Sequence, residues 1–318
     1  MLHIVDLEAR SLIAELRPPG FAHRWTRHAW TAHTEIVERL AEADIAVINK
    51  APITAATVDA LPRLKMIAVS ATGTNAIDLE ACRARGIVVS NIRGYAAHTV
   101  PEHVFALTLA LSRNLLAWRE SLQAGAWSKT TQFCLFDHPI RDLHGATLGL
   151  LGSGSLGAGV ARLGEAFGMR VLRAEWRDSA VIRPGYTAFA EVLQAADVLS
   201  IHCPLNDQTR GLIGRAELQS MKRSALLINT ARGGIVDETA LVEALQSGWI
   251  AGAGFDVLTV EPPPADHPLL DPALLALPNF LLTPHVAWSS RAAMQALADQ
   301  LIDNIEAFAA GRPQNRVA

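Results

Sequence analysis

Six residues, Gly152-Ser153-Gly154-Ser155-Leu156-Gly157, constrain this chain more than any others. They follow an apolar run at 147–151 and open a helical pattern at 156–167. Strand, G-x-G-x-x-G turn and helix, in that order, place phosphate oxygens at a helix N-terminus in a parallel α/β sheet. The first glycine permits the tight turn, the second lets a pyrophosphate approach the backbone, and the third lets helix pack on strand. The first-turn N–H groups and the positive end of the helix dipole then face the phosphates. The next strand pattern, 170–174, leads into Glu175, eighteen residues beyond Gly157. A carboxylate there accepts hydrogen bonds from ribose hydroxyls and repels a 2′-phosphate, so NAD is expected over NADP. Arg173 and Arg177 flank it, and either is able to grip a phosphate instead.

The rest of the chain reads as the same class. At 318 residues it has room for two domains of about 150 residues each. Half of it is hydrophobic and 19% is charged, which excludes a disordered chain. The formal net charge of −3 argues against a nucleic-acid partner, which needs a basic surface. The three cysteines, Cys82, Cys134 and Cys203, are odd in number and far apart, so no disulfide framework is expected and the cytoplasm is the expected compartment. Asp6 and Glu8 stand where a signal peptide needs a basic flank and an apolar run. No stretch is long and apolar enough to predict a membrane span.

Short apolar runs alternate with helical patterns, which predicts α/β architecture with parallel sheets. One series of strands is expected at 3–7, 44–49, 66–70 and 87–91. A second is expected at 147–151, 170–174, 198–202, 225–229, 252–257 and 279–283, as a doubly wound nucleotide domain requires. A single long helix is expected at 100–123, with Thr99 and Glu102 as a capping box and Pro101 in the first turn. Another is expected at about 289–310, stopped by Gly311 and Pro313. The two helices would carry the chain out of the first domain and back. The expected organisation is a smaller, flavodoxin-like substrate domain at 1–98 plus 287–318, and a Rossmann dinucleotide-binding domain at 99–286.

Three later segments each deliver one polar residue at a strand's C-terminal end, where open α/β sheets bind ligands. Arg232 precedes Gly233-Gly234, Glu261 precedes Pro262-Pro263-Pro264, and His285 follows Pro284. An arginine holds a carboxylate bidentately and polarises a neighbouring carbonyl. A histidine exchanges a proton near neutral pH, and a carboxylate on its other nitrogen orients the ring and favours the protonated form.

With these residues in place the chain resembles the D-isomer-specific 2-hydroxyacid dehydrogenases over nearly its whole length. The resemblance rests on Ala71-Thr-Gly-Thr-Asn-Ala-Ile-Asp78, Val100-Pro-Glu-His103, the glycine turn, His202-Cys-Pro-Leu205 with Thr209-Arg-Gly211, the run 229–234, Gly254-Phe-Asp256-Val257 and Thr283-Pro-His285. Asn49-Lys50, Asn91-Ile-Arg-Gly-Tyr95, the stretch 133–140 and His285-Val-Ala-Trp288 make it most similar to the glycerate dehydrogenase and hydroxypyruvate reductase branch. The resemblance implies an NAD-dependent reductase of a small 2-keto acid such as hydroxypyruvate or glyoxylate. Arg232 would bind the substrate carboxylate and carbonyl, His285 would be the acid/base, and Glu261 would orient it. Asp256 would lie near the nicotinamide. Cys203, Pro204, Thr209, Thr230 and Ala231 would join the glycine turn, Arg232 and His285 around the coenzyme. Backbone N–H groups at Thr72-Gly73, together with Lys50, would hold the substrate from the small domain. Domain closure would exclude water and align the reactants. The family also implies a homodimer formed through the nucleotide domains, with the stretch 133–136 reaching the partner.

Other features read more plainly. His23, His28 and His33 recur every five residues, a spacing that suits no metal site, so none is expected. Trp25 and Trp30 beside Arg24 and Arg27 read as surface packing, and Cys203 as a small apolar wall with no activating base. His98 has no assignable role. The competing functions are a nucleotide-sensing corepressor on the same fold and another dehydrogenase of the fold, acting on formate, phosphite or phosphoglycerate.

Overall fold

Apolar runs too short for helices become the strands of two parallel sheets. The computed structural model describes residues 1–318 and places one sheet in each of two units, Met1–Tyr95 with Ser289–Ala318, and Ala96–Trp288.

The first unit holds β1 (Leu2–Asp6), β2 (His23–Arg27), β3 (Ile45–Ile48), β4 (Met66–Val69) and β5 (Val88–Ser90). All pair in parallel in the order β2-β1-β3-β4-β5, the flavodoxin-like winding. The central strands, Ile-Ala-Val-Ile and Met-Ile-Ala-Val, are buried at every position, as parallel strands covered on both faces must be. Strand β2 was not expected from the sequence. It is His-Arg-Trp-Thr-Arg with no fully buried residue, and it lies at the sheet edge, where cationic side chains protect the unpaired backbone.

Helix Arg291–Ala309 closes this unit. Ser290 caps it by accepting from the Ala293 N–H at 3.2 Å, and Gly311 ends it at φ +72°. Its face carries Leu297, Leu301 and Ile305, all at most 1% exposed. Asn304 lies among them, fully buried. Its amide donates to the Asn91 carbonyl at 3.0 Å and its oxygen accepts from the Asn315 amide at 2.9 Å. The chain's last residues return to β5, where the Val317 N–H donates to the Val89 carbonyl at 2.8 Å.

The second unit holds β6 (Thr147–Leu151), β7 (Arg170–Arg173), β8 (Val198–Ile201), β9 (Leu226–Asn229), β10 (Gly252–Phe255) and β11 (Phe280–Leu282). They form a parallel sheet in the order β11-β10-β9-β8-β6-β7. One further parallel bridge, Ala174 to Thr187, extends the sheet beyond β7. Counting that bridge as a strand gives the Rossmann order 3-2-1-4-5-6 with β11 added. Helix Thr99–Ser112 packs on β9 and β10, burying Val104, Leu107 and Leu111.

Two local expectations are corrected here. The helix expected at 100–123 is two helices, Thr99–Ser112 and Leu115–Gln123, separated by Asn114 in the left-handed region at φ +51°. Asparagine tolerates that conformation, and its amide is held by the Pro139 carbonyl. The capping box at Thr99 does not form. His98 is the N-cap, and the Thr99 hydroxyl donates instead to the Ala287 carbonyl at 3.2 Å.

Asn304→Ala is expected to cost about 1–3 kcal/mol, because it leaves the buried Asn91 carbonyl without its side-chain donor and the half-buried Asn315 amide with only a 3.5 Å contact to Gln300. A lowered urea midpoint measures this, and an unchanged midpoint would show that water replaces the amide.

Candidate active site

The glycine turn is shaped by contacts that exclude side chains. A Cβ on Gly157 would stand 2.2 Å from the Gly152 carbonyl oxygen, so the helix Ser155–Ala166 can start against β6 only with glycine there. Gly154 differs. A Cβ on it would meet nothing within 4 Å, and its φ of −66° is open to any residue. Nothing within the chain requires glycine at that position, whereas a ligand backed against the helix N-terminus does. No side chain caps this helix, so its first-turn N–H groups are left to such a ligand. Close by in sequence to the strand ends, the Thr230 hydroxyl and His202 Nδ1 are buried without partners. The residues present therefore fit a dinucleotide.

Around that turn, His202 Nε2 lies 2.8 Å from the Ser200 hydroxyl, and burial pushes the ring's pKa down to about 4. It is neutral at physiological pH. Cys203 is buried, and burial raises its thiol to about 11, so it is no nucleophile. The buried Thr209 hydroxyl donates to the Pro204 carbonyl at 2.6 Å and accepts from the Asn206 N–H at 2.8 Å, fixing the loop 204–209.

Glu175, at the end of the β7 segment, is only 3% exposed. Arg183, which the sequence did not single out, donates to it through Nε at 2.6 Å and through a terminal nitrogen at 2.7 Å. That guanidinium holds the carboxyl down at about 2, against the opposing effect of burial. Arg183 lies over the Tyr186 ring at 4.0 Å, and the Tyr186 hydroxyl meets the Ser153 hydroxyl at 2.6 Å. Arg177 is engaged elsewhere, 3.1 Å from Glu217 and hydrogen-bonded to the Leu212 carbonyl. Arg173 lies 3.8 Å from Glu165.

Strands β9, β10 and β11 are neighbours in register, Asn229 to Phe255 and Phe255 to Leu282. Their C-terminal ends therefore deliver Arg232, Asp256 and His285 side by side along one sheet edge. The fully buried Asn229 shapes the first loop, donating to the Arg232 carbonyl at 3.0 Å and accepting from the Ala231 N–H at 3.1 Å. Arg232 itself, half-buried, donates to the Ala231 carbonyl at 2.6 Å.

Asp256 is 1% exposed and serves the loop after β11. One oxygen accepts from the Val286 N–H at 2.9 Å and from the Thr283 hydroxyl at 2.5 Å, and the other from the Ala287 N–H at 2.9 Å. His103 supports Thr283 from the helix Thr99–Ser112, with Nε2 3.0 Å from its hydroxyl. The His285 N–H donates to the Asp256 carbonyl at 2.8 Å, and His285 sits at φ +56°. Its Nδ1 lies 2.6 Å from Glu261 Oε2. Glu261 Oε1 accepts from the Leu258 N–H at 2.9 Å, and the Glu261–Pro262 peptide bond is cis. The ring is thus gripped on one nitrogen while Nε2 is directed the other way.

In the first unit, Lys50 and Thr72-Gly73 follow the C-terminal ends of the neighbouring strands β3 and β4. Glu8 Oε2 accepts three backbone N–H groups, from Asn49, Lys50 and Ala51, at 2.7–2.9 Å. The Thr72 hydroxyl donates to the Ile92 carbonyl at 2.7 Å, and the Asn91 amide donates to the Thr72 carbonyl at 2.8 Å. His98 is exposed at the start of its helix. No group of three His, Cys, Asp or Glu side chains is arranged to hold a metal ion, and no helix is long and apolar enough to cross a membrane.

Known proteins resemble this chain in sequence and in fold. The model of the D-isomer-specific 2-hydroxyacid dehydrogenase NAD-binding domain matches residues 105–287. Glycerate dehydrogenase of Methylorubrum extorquens is 50% identical over 316 residues, 99% of this chain and 98% of that protein. Among solved structures, D-lactate dehydrogenase from Aquifex aeolicus, complexed with NAD and lactic acid, aligns at TM-score 0.77 and 29% identity over 92% of this chain and 90% of its own. The NADPH-dependent glyoxylate/hydroxypyruvate reductase from Sinorhizobium meliloti, in complex with citrate, aligns at TM-score 0.80 and 29% identity over 100% and 98%. A family match across more than half of the chain and a half-identical relative along its whole length make this protein a member of the D-isomer-specific 2-hydroxyacid dehydrogenases, oxidoreductases built on an NAD-binding domain.

Proposed function

We propose that the protein reduces a small 2-keto acid, hydroxypyruvate or glyoxylate, to its D-2-hydroxy acid with NADH. The observation that carries this reading is the 2.6 Å contact of His285 Nδ1 with Glu261, on a strand end neighbouring that of Arg232. The half-identical glycerate dehydrogenase supports the choice of substrate.

When bound, the dinucleotide supplies a hydride to the keto carbon, and the chain does the rest. The N-terminus of helix Ser155–Ala166 would hold the pyrophosphate, and the strand end that bears Glu175 would meet the adenosine ribose. Arg232 clamps the substrate carboxylate and polarises the carbonyl. His285 gives a proton from Nε2 to the carbonyl oxygen as it becomes an alkoxide, while Glu261 keeps the ring in register. Asp256 holds the His285 loop, and further substrate contacts are assigned to Lys50 and the Thr72-Gly73 backbone. In the oxidative direction His285 takes the proton back.

A second copy of the chain completes the assembly. Leu122, Trp127, Phe133, Phe136 and Ile140 are each at least 51% exposed within one short stretch of the second unit. An isologous dimer buries such a surface. The unpaired cysteines suit the reducing cytoplasm.

His285→Ala is expected to lower kcat by about 10²–10⁴-fold, the scale of a general acid, with NADH affinity little changed. Near-full turnover would remove His285 from this role. Arg232→Lys is expected to raise KM and lower kcat/KM severely, because an ammonium cannot offer the planar fork. An unchanged kcat/KM would count against the clamp. A panel of 2-keto acids followed by NADH absorbance should rank hydroxypyruvate or glyoxylate first. Sedimentation equilibrium is expected to give twice the 34.2 kDa chain mass, and a monomer would refute the dimer.

A further inference from the structure

A carboxylate offers about four lone-pair sites, two on each oxygen. On Glu175 all four are filled from within the chain. Oε1 accepts from the Trp176 N–H at 2.9 Å and from an Arg183 terminal nitrogen at 2.7 Å. Oε2 accepts from Arg183 Nε at 2.6 Å and from the Arg183 N–H at 3.3 Å. The carboxylate side chain is 1% exposed, whereas that of Arg183 is 53% exposed. What this strand end presents outward is therefore a guanidinium, not a carboxylate. Two of its five N–H donors are spent on Glu175, and the others face away from it.

The clasp is held in place on three sides. The segment between Glu175 and Thr187 is pinned at its base by the Glu175 N–H to the Thr187 carbonyl and the Thr187 N–H to the Arg173 carbonyl, both 2.8 Å. Tyr186 supports the guanidinium from below at 4.0 Å and ties the segment to Ser153 of the glycine turn at 2.6 Å. The clasp thus stands beside the turn that receives the pyrophosphate.

We propose that Arg183 is a coenzyme-selecting residue: by occupying Glu175 it cancels the charge that excludes a 2′-phosphate and offers that phosphate its remaining donors, so the enzyme accepts NADP(H) alongside NAD(H). This rests on the dinucleotide reading of the site but not on the substrate or the chemistry assigned above. When NAD binds, the ribose hydroxyls compete with Arg183 for Glu175. When NADP binds, Arg183 stays on Glu175 and turns its outer edge to the phosphate.

The test uses fragments that carry no nicotinamide. Calorimetry of the whole protein compares adenosine 5′-monophosphate with adenosine 2′,5′-bisphosphate for the native protein, Arg183→Gln and Arg183→Lys. The native protein is expected to bind the bisphosphate at least as well as the monophosphate. Arg183→Gln should weaken the bisphosphate about tenfold or more, the scale of one charge-assisted bidentate contact, and leave the monophosphate unchanged or tighter. Arg183→Lys keeps the charge without the fork and should fall between; it also serves if the glutamine variant does not fold. With coenzymes, the ratio of kcat/KM for NADPH to that for NADH should fall in the same order. Exclusion of the bisphosphate by the native protein, equal loss of both fragments in the variants, or no loss of the bisphosphate would each overturn the proposal. Intact fragment selectivity without turnover on any keto acid would refute the proposed reaction and leave the role of Arg183 standing.

Discussion

The candidate site depends on a buried carboxylate. An ionised group taken out of water costs several kcal/mol unless its oxygens are saturated with donors. Asp256 meets that demand with donors drawn entirely from the segment 283–287, two backbone N–H groups and one hydroxyl. The same demand that stabilises the carboxylate therefore fixes the loop that bears His285. A non-glycine residue in the left-handed region costs roughly 1–2 kcal/mol, and His285 at φ +56° persists because the residues on either side of it have no freedom to relax. Functional geometry is here a by-product of satisfying one buried charge.

The contrast between Asp256 and Glu175 shows what burial does to equal chemistry. Both are carboxylates at strand ends of one sheet, and both are almost fully buried. Asp256 is satisfied by backbone groups and a hydroxyl, so its environment is rigid and its charge is directed inward. Glu175 is satisfied chiefly by a long, half-exposed side chain that can rotate away. One is an anchor, and the other is an exchangeable contact.

Most of the fold is legible in the sequence because its strands are buried on both faces and stand out as short apolar runs. Strand β2 is not legible, since an edge strand such as His23–Arg27 has neither an apolar run nor clean alternation. The break at Asn114 is hidden for another reason: no glycine or proline marks it, and a loop carbonyl 25 residues away holds the turn. Thr99 has the right neighbours for a cap, yet a carbonyl 188 residues distant takes its hydroxyl. At the site, prolines and glycines flag Arg232, Glu261 and His285, because such residues punctuate strand ends. Nothing local flags Arg183, whose meaning lies in a partner eight residues back across a loop. Periodicity reports burial well, and it is silent on which polar groups find each other in space.

The first unit is discontinuous, and this sets an order of events during synthesis. Its strands lie within residues 1–95, but Arg291–Ala309 and the strand-pairing segment at 316–317 follow only after the second unit. Between them the whole second unit, Ala96–Trp288, is translated and has every residue it needs to close its own core. The nascent chain therefore carries a half-covered parallel sheet, with β4 and the buried side of Asn91 waiting, until the final helix arrives. Any slowing of translation before residue 291 prolongs the exposure of that apolar face.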